Sequence, residues 1–113
     1  MGQPMRVQIP PSAPRLASQG KMFMYYVYIL FSKKDGKLYI GSTPELKKRI
    51  EKHNKGYAEA TKNRRPLSLI YYESYVNERD AKRREIFLKG GKGHSELKIQ
   101  LKDTFKKIRY KYN

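Results

Sequence analysis

The chain has 113 residues, about one domain's worth, and 26 lysines and arginines against 10 acidic residues give it a formal net charge of +16. This charge favours polyanions, with DNA or RNA as the first candidate partner and an anionic membrane surface as the competitor, because neutralised phosphates release counterions. The absence of cysteine excludes disulfides, thiolate zinc sites and a cysteine nucleophile, and no apolar run approaches the roughly 18 residues that span a bilayer. We therefore expect a cytoplasmic protein without a membrane span.

The first 21 residues differ in composition from the rest of the chain. They hold most of the prolines and no acidic residue, and they show no hydrophobic period. Such segments bury too little apolar surface to fold, and no apolar signal-peptide core is present. The sequence predicts a disordered tail over 1–21 and a single domain over 22–113.

A β-hairpin is predicted at the start of this domain. Residues 25–31 alternate tyrosines with branched aliphatic residues, which is typical of a strand with two different faces. Asp35 and Gly36 supply the turn, and a second strand is expected over about 37–41.

The first helix has recognisable start and stop signals. Thr43 is predicted to be the N-cap, with Pro44 at the first helical position and Glu45 in the positive first turn. The helix is expected to reach about Lys55 and to stop at Gly56.

The second half of the domain adds one strand and two helices. A basic loop over 61–66 leads to a strand over 67–76, and Asn77 is predicted to cap a helix over 78–89. A last helix is expected from near Ser95. The order β-β-α-β-α-α predicts an α/β fold, with a small three-stranded antiparallel sheet flanked by about three helices.

Three charged or titratable side chains fall at positions where apolar residues are expected. Arg49 and His53 lie on the apolar stripe of the first helix, and Glu85 lies on that of the second. Unpaired burial of such groups is costly, so they must bond one another or line a wet concave site. The stripes consist of Leu46, Ile50 and Tyr57 in the first helix and of Ala81 and Leu88 in the second.

A purely structural interpretation of these residues has about the same weight at this point. Arg49 and Glu85 would form an ion pair, and His53 would bond a backbone carbonyl. Glu73 is a second acidic candidate for a ligand, although a solvent-facing strand position is the more ordinary interpretation. The glycine-rich segment 90–95 follows a helix and lacks phosphate-loop spacing, so it is interpreted as a helix stop and basic linker.

Two short segments carry a resemblance to a known family. The sequence "YVYIL" at 26–30, followed by "LYIGS" at 38–42, resembles the two-part signature of the GIY-YIG nuclease superfamily, in particular its small stand-alone bacterial branch. That branch is related to nuclease domains of excision repair and crossover resolution. The matching positions are Tyr28, Tyr39, Ile40 and Gly41 in the strands, with Arg49, His53 and Glu85 on the helices.

The resemblance implies a metal-dependent endonuclease that hydrolyses DNA, with little sequence specificity and a role in repair or recombination near the bacterial nucleoid. It implies that Glu85 holds one Mg²⁺ or Mn²⁺ and that Arg49 grips a nonbridging phosphate oxygen. It further implies that Tyr28 is the general base or orients the water, that His53 shares its proton, and that Tyr39 positions the phosphate. RNA is a possible substrate as well.

Two positions depart from the family pattern. Ser42 stands where several members have a lysine, so that phosphate contact must come from elsewhere or be absent. In addition, 90–100 holds no clear equivalent of an asparagine that many members carry. The candidates for nucleic-acid binding are Lys62, Arg64, Arg65, Lys89 and Lys92.

Two alternatives to an enzyme stay open. The first is a binding module, in which a nuclease-like fold holds DNA or structured RNA without turnover. The second is a peripheral protein on anionic membranes, which would need a basic helix with an exposed apolar face. The last helix comes nearest to this, but its apolar stripe is better explained by packing on the sheet.

Overall fold

A computed structural model describes residues 15–16, 20–21 and 24–111. Two short strands, β1 (Arg15–Leu16) and β2 (Gly20–Lys21), pair with each other in antiparallel orientation. The rest of the predicted tail lies outside the described residues, and its disorder stays a prediction.

A three-stranded antiparallel sheet forms the centre of the domain, as predicted. Its strands are β3 (Tyr25–Ser32), β4 (Leu38–Thr43) and β5 (Leu67–Tyr75), in the order β4-β3-β5. Strand β4 extends two residues beyond the predicted 37–41 because its last residues pair with the start of β3.

Within the described residues, four α-helices flank the sheet, where about three were predicted. They are α1 (Leu46–Asn54), α2 (Glu78–Lys89), α3 (Gly91–Gln100) and α4 (Lys102–Ile108). The predicted last helix is divided at Leu101, whose backbone leaves the helical region. Among the described residues, no helix is both long enough and apolar enough to cross a membrane.

The glycine-rich segment 90–95 is helical, so the prediction of a linker there was wrong. Gly90 has an extended backbone and separates α2 from α3. Gly93 lies inside α3, where a Cβ atom would stand only 2.1 Å from the carbonyl oxygen of Phe87. Position 93 is a glycine because α3 passes this close to the end of α2.

Of the two predicted helix caps, Asn77 is confirmed and Thr43 is not. Asn77 caps α2 as expected, and its side chain accepts the Arg79 N–H at 2.8 Å. Helix α1 begins at Leu46, because Thr43 is still part of β4. The Thr43 hydroxyl nevertheless accepts the Glu45 N–H at 3.0 Å, so it supports the turn into the helix.

The two faces of β3 pack into two separate cores, as its alternating sequence predicted. Val27 and Ile29 are buried with α2, α3 and α4 on one side. Tyr26 and Tyr28 are buried with α1 on the other side. Because β3 is central and covered on both faces, its side chains on the α1 side are shielded from water.

Candidate active site

Three aromatic rings meet on the side of the sheet that α1 covers. Tyr28 comes from β3, Tyr39 from β4 and His53 from α1. The His53 ring centroid lies 5.7 Å from that of Tyr28 and 5.2 Å from that of Tyr39, and the two tyrosine rings are 6.3 Å apart. The fold thus brings three of the candidate residues into one cluster.

Both ring nitrogens of His53 are bound to hydroxyl groups. Nε2 lies 2.9 Å from the Tyr28 hydroxyl, and Nδ1 lies 2.6 Å from Oγ1 of Thr61. The expectation of a backbone carbonyl partner was wrong. All three side chains are at most 1% exposed, so this chain of hydrogen bonds is shielded from bulk water.

The environment of the cluster keeps both titratable groups uncharged at neutral pH. Burial, aided by the charges of Arg49 and Lys52, lowers the pKa of His53 to about 4. Burial and the neighbouring Tyr39 raise the pKa of Tyr28, which the positive charge of Arg49 partly opposes. His53 is therefore a neutral imidazole at neutral pH, with one ring nitrogen that donates a hydrogen bond and one that accepts.

Arg49 lies one turn before His53 on α1 and is half-buried. Its guanidinium lowers the pKa of Tyr28 both by charge and by hydrogen bonding. It belongs to none of the ion pairs found among residues 24–111. The alternative of an Arg49–Glu85 ion pair is thus not what the structure shows.

Glu85 is held in place by two side chains. The Ser42 hydroxyl donates to Oε1 at 2.6 Å, and the Lys89 ammonium donates to Oε2 at 2.8 Å. Burial would raise the pKa of this carboxyl, but Lys89 and Ser42 outweigh it and lower the pKa. Glu85 is therefore ionised at neutral pH.

The chemistry of this donor set fits one hard divalent cation. Within the described part of the chain, no group of three or more His, Cys, Asp or Glu side chains could hold a metal, so a cation here would rely on the single carboxylate of Glu85. Mg²⁺ commonly binds one or two carboxylates and keeps several waters. The Lys89 side chain is 54% exposed, so its ammonium is not fixed by burial.

Gly41 allows β4 to pass directly beside the Tyr28 hydroxyl. The two residues are paired across β3 and β4, and a Cβ atom on Gly41 would lie 2.6 Å from the Tyr28 hydroxyl oxygen. No real side chain tolerates such a contact, so glycine is required for the observed position of Tyr28.

Two arginines that were candidates for DNA contact have internal partners. Arg64 donates to the carboxylate of Asp35, at 2.5 Å from its Nε, and to the carbonyl of Leu38. This contact lowers the pKa of Asp35 to about 2 and ties the basic loop to the β3–β4 turn. Arg65 donates to the Lys62 carbonyl at 3.1 Å.

The three candidate lysines are more accessible. Lys62 forms an exposed ion pair with Glu59 at 3.2 Å, a kind of contact that contributes little to stability. Lys89 bonds Glu85, and Lys92 is exposed near the start of α3. Direct contact of these lysines and arginines with nucleic acid stays a prediction.

Glu73 lies on β5 with its side chain only 14% exposed, so the expectation of a solvent-facing position was wrong. Its carboxylate accepts the hydroxyls of Tyr71 and Tyr75 at 2.7 and 2.5 Å. It also pairs with Arg84, which in turn pairs with Glu96. These partners occupy the carboxylate, so it is not a second ligand of the candidate site.

Thr61 and Ser42 complete the site, and neither was predicted as a functional residue. Thr61 lies in the loop after α1, and no local pattern in the sequence indicates that it would reach His53. Ser42 was noticed only as a departure from the family lysine. Its place directly after Gly41 was the available signal, since β4 brings it to Glu85.

Comparison with known proteins agrees with this geometry. A family model described as the GIY-YIG catalytic domain matches residues 24–112. A UPF0213 protein of Clostridium perfringens is 40% identical over 88 residues, which cover 77% of this chain and 94% of the relative. UPF0213 proteins of Staphylococcus saprophyticus and Pediococcus pentosaceus are 40% and 42% identical, covering 69% and 70% of this chain and 95% and 83% of the relatives.

No solved structure matches the chain significantly. The family model nevertheless covers almost the whole folded part, and the small bacterial relatives are covered over most of their own length. The chain belongs to the GIY-YIG catalytic domain family, a family of nucleases.

Proposed function

We propose that this protein is a metal-dependent endonuclease that hydrolyses phosphodiester bonds of DNA. The observation that carries the proposal is the buried hydrogen-bond chain from Tyr28 through His53 to Thr61, with Arg49 beside it. A proton acceptor and a guanidinium outside the observed ion pairs, within one cluster, suit attack of water on a phosphate. The resemblance to repair nucleases and the bacterial relatives favour a cytoplasmic, nucleoid-associated role in DNA repair or recombination.

Arg49 would bind a nonbridging oxygen of the scissile phosphate. Its planar guanidinium offers several N–H donors and stays charged at all relevant pH values. It would therefore offset the negative charge that grows on the phosphoryl group as the water attacks. The half-buried ring of Tyr39, packed against Tyr28 and His53, would form the wall against which the phosphate rests.

Tyr28 and His53 would together remove a proton from the attacking water. Tyr28 alone cannot act as a base at neutral pH, because burial raises its pKa and keeps the hydroxyl protonated. His53 is neutral, and its Nε2 atom can accept the phenolic proton as the water's proton passes to the Tyr28 oxygen. In that tautomer the His53 Nδ1–H donates to Thr61 Oγ1, which makes Thr61 a positioning residue.

Glu85 would hold the divalent cation, with Ser42 fixing the direction of its carboxylate. When bound, Mg²⁺ or Mn²⁺ would polarise the phosphate and stabilise the leaving oxygen. The donation from Ser42 to Oε1 keeps the carboxylate turned towards β4. The Lys89 ammonium, which donates to Oε2, would have to leave that oxygen for the cation to bind there.

The function is tested on supercoiled, single-stranded and branched DNA, with Mg²⁺, with Mn²⁺ and with EDTA. We expect cleavage with either ion and none with EDTA. Inactivity on all three substrates with both ions, by a folded protein that still binds DNA, would instead support the binding module. That second candidate has one observation in its favour, the Lys89 ammonium that already neutralises Glu85.

Thr61→Val is expected to lower the cleavage rate about 10- to 100-fold, because loss of such an outer partner disturbs the orientation of a functional histidine. Valine has nearly the same shape as threonine but cannot accept the His53 Nδ1–H. Thr61→Ser keeps the hydroxyl and should retain most of the activity.

The measurement is kcat, KM and the pH dependence of cleavage for both variants. A positioning role predicts a fall in kcat for valine with KM unchanged and rescue by serine. Equal losses for valine and serine would show that Thr61 matters only for packing.

A further inference from the structure

We propose that a groove along the outer edge of β4 binds one strand of the DNA substrate where it leaves the candidate active site. The groove has a volume of about 740 Å³. One wall is the β3–β4 turn and the start of β4, over residues 35–40. The other wall comes from Lys89 at the end of α2, His94 of α3 and the C-terminal residues 109–111.

The charge of the groove suits a phosphodiester backbone. Among the described residues that line it, only Asp35 is acidic, and Arg64 already neutralises that carboxylate. Basic side chains therefore dominate the field that a ligand would experience, and such a field attracts polyanions. These side chains belong to Lys37, Arg109 and Lys111, while Lys89 is paired with Glu85.

The groove continues directly from the candidate active site. Tyr39 lines the groove and also contacts the rings of Tyr28 and His53. Lys89 likewise lines the groove while its ammonium reaches Glu85. A strand with its phosphate beside Arg49 could therefore pass Tyr39 and enter the groove. This inference rests on the proposed function, because it names the path of that substrate.

The basic residues of the second wall are held by a specific backbone turn. Arg109 has a left-handed backbone with φ of 59°, which is uncommon for a residue other than glycine. The turn directs Tyr110 back onto Phe105, with the two ring centroids 4.7 Å apart. Arg109 and Lys111 flank this anchored tyrosine, so both side chains stand along the groove on a fixed support.

The test is a double variant, Arg109→Gly with Lys111→Ala. Glycine adopts the left-handed backbone readily, so the turn survives while the guanidinium is removed. The matched control is Lys102→Ala with Lys106→Ala, which removes the same charge from exposed positions of α4 outside the groove. Binding of a labelled single-stranded oligonucleotide is measured by fluorescence anisotropy in EDTA at several salt concentrations.

For two lost phosphate contacts, the slope of log affinity against log salt should become shallower by about 1.4, and affinity at low salt should fall. The control pair should keep the wild-type slope. Equal changes in both variants would show that only the net charge of the protein matters, and this would overturn the proposal. An unchanged slope and affinity in the groove variant would overturn it as well. A labelled oligoglutamate that competes as well as DNA would also overturn it.

This outcome is separable from that of the proposed function. The binding experiment needs no cleavage, so an inactive wild type can still show the groove effect. If the wild type cleaves DNA, the groove variant should raise KM and leave kcat unchanged. If the wild type is active and the groove variant keeps the wild-type KM, the groove proposal is contradicted while the proposed nuclease function is not.

Discussion

The Glu85→Gln protein is expected to lose metal-dependent cleavage by about a thousandfold or more, which corresponds to roughly 4 kcal/mol of lost transition-state stabilisation. The amide has the shape of the carboxylate and can still accept the Ser42 hydroxyl. It lacks the negative charge that a hard cation requires. The loss should therefore come from the cation and leave the fold intact.

DNA binding in EDTA supplies the first control for Glu85→Gln, since the variant should bind at least as well as the wild type. Glu51→Gln is the matched variant, because Glu51 is an exposed glutamate of α1. It should cleave like the wild type. Calorimetric titration with Mn²⁺ should show binding to the wild type and none to Glu85→Gln. Full cleavage by Glu85→Gln would remove Glu85 from the mechanism.

The Gly41→Ala protein is expected to be destabilised by about 1–3 kcal/mol, as overpacked cores are, and to lose cleavage at least 100-fold, the range of a lost general base. The added Cβ atom would lie 2.6 Å from the Tyr28 hydroxyl oxygen and 2.8 Å from the ring carbon that carries it. Tyr28 is fully buried and bonded to His53, so it has no free space into which it could move.

Chemical denaturation of four proteins isolates this contact. They are the wild type, Gly41→Ala, Tyr28→Phe and the double variant. Phenylalanine lacks the hydroxyl that makes the closest contact, so the double variant should be more stable than the sum of the single effects predicts. Strict additivity would show that alanine at position 41 acts elsewhere. Retained activity in Gly41→Ala would contradict the role of the Tyr28–His53 bond.

Much of the fold could be predicted because local chemistry and tertiary packing agree. The alternation through Tyr26, Val27 and Tyr28 matches the two cores that cover β3, and Asn77 caps α2 where its side chain indicated. The start of α1 was misplaced because strand pairing extends to Thr43. Likewise, a glycine-rich segment was interpreted as a linker although close helix packing requires its Gly93.

The candidate site was predictable where a polar residue interrupts an apolar stripe. His53 and Glu85 lie on the predicted faces, and Leu46 and Ile50 are buried beside His53. Tyr57 is 71% exposed, because α1 ends at Asn54 and the helical spacing no longer applies.

The remaining partners are set by long-range contacts that no local pattern encodes. Thr61 meets His53 through a loop, and Ser42 meets Glu85 across 43 positions of sequence. Arg64 shows the reverse case. Its place in a basic loop indicated a surface cation, while its contact with Asp35 depends on the distant hairpin turn.

The most direct test of the central claim is a single-turnover comparison of wild type and Tyr28→Phe, purified in parallel, on branched DNA with Mn²⁺. We expect cleavage by the wild type and a rate at least about 100-fold lower for Tyr28→Phe, as for loss of a general base. EDTA should abolish the wild-type reaction. Equal rates for the two proteins would contradict a catalytic centre at Tyr28 and His53.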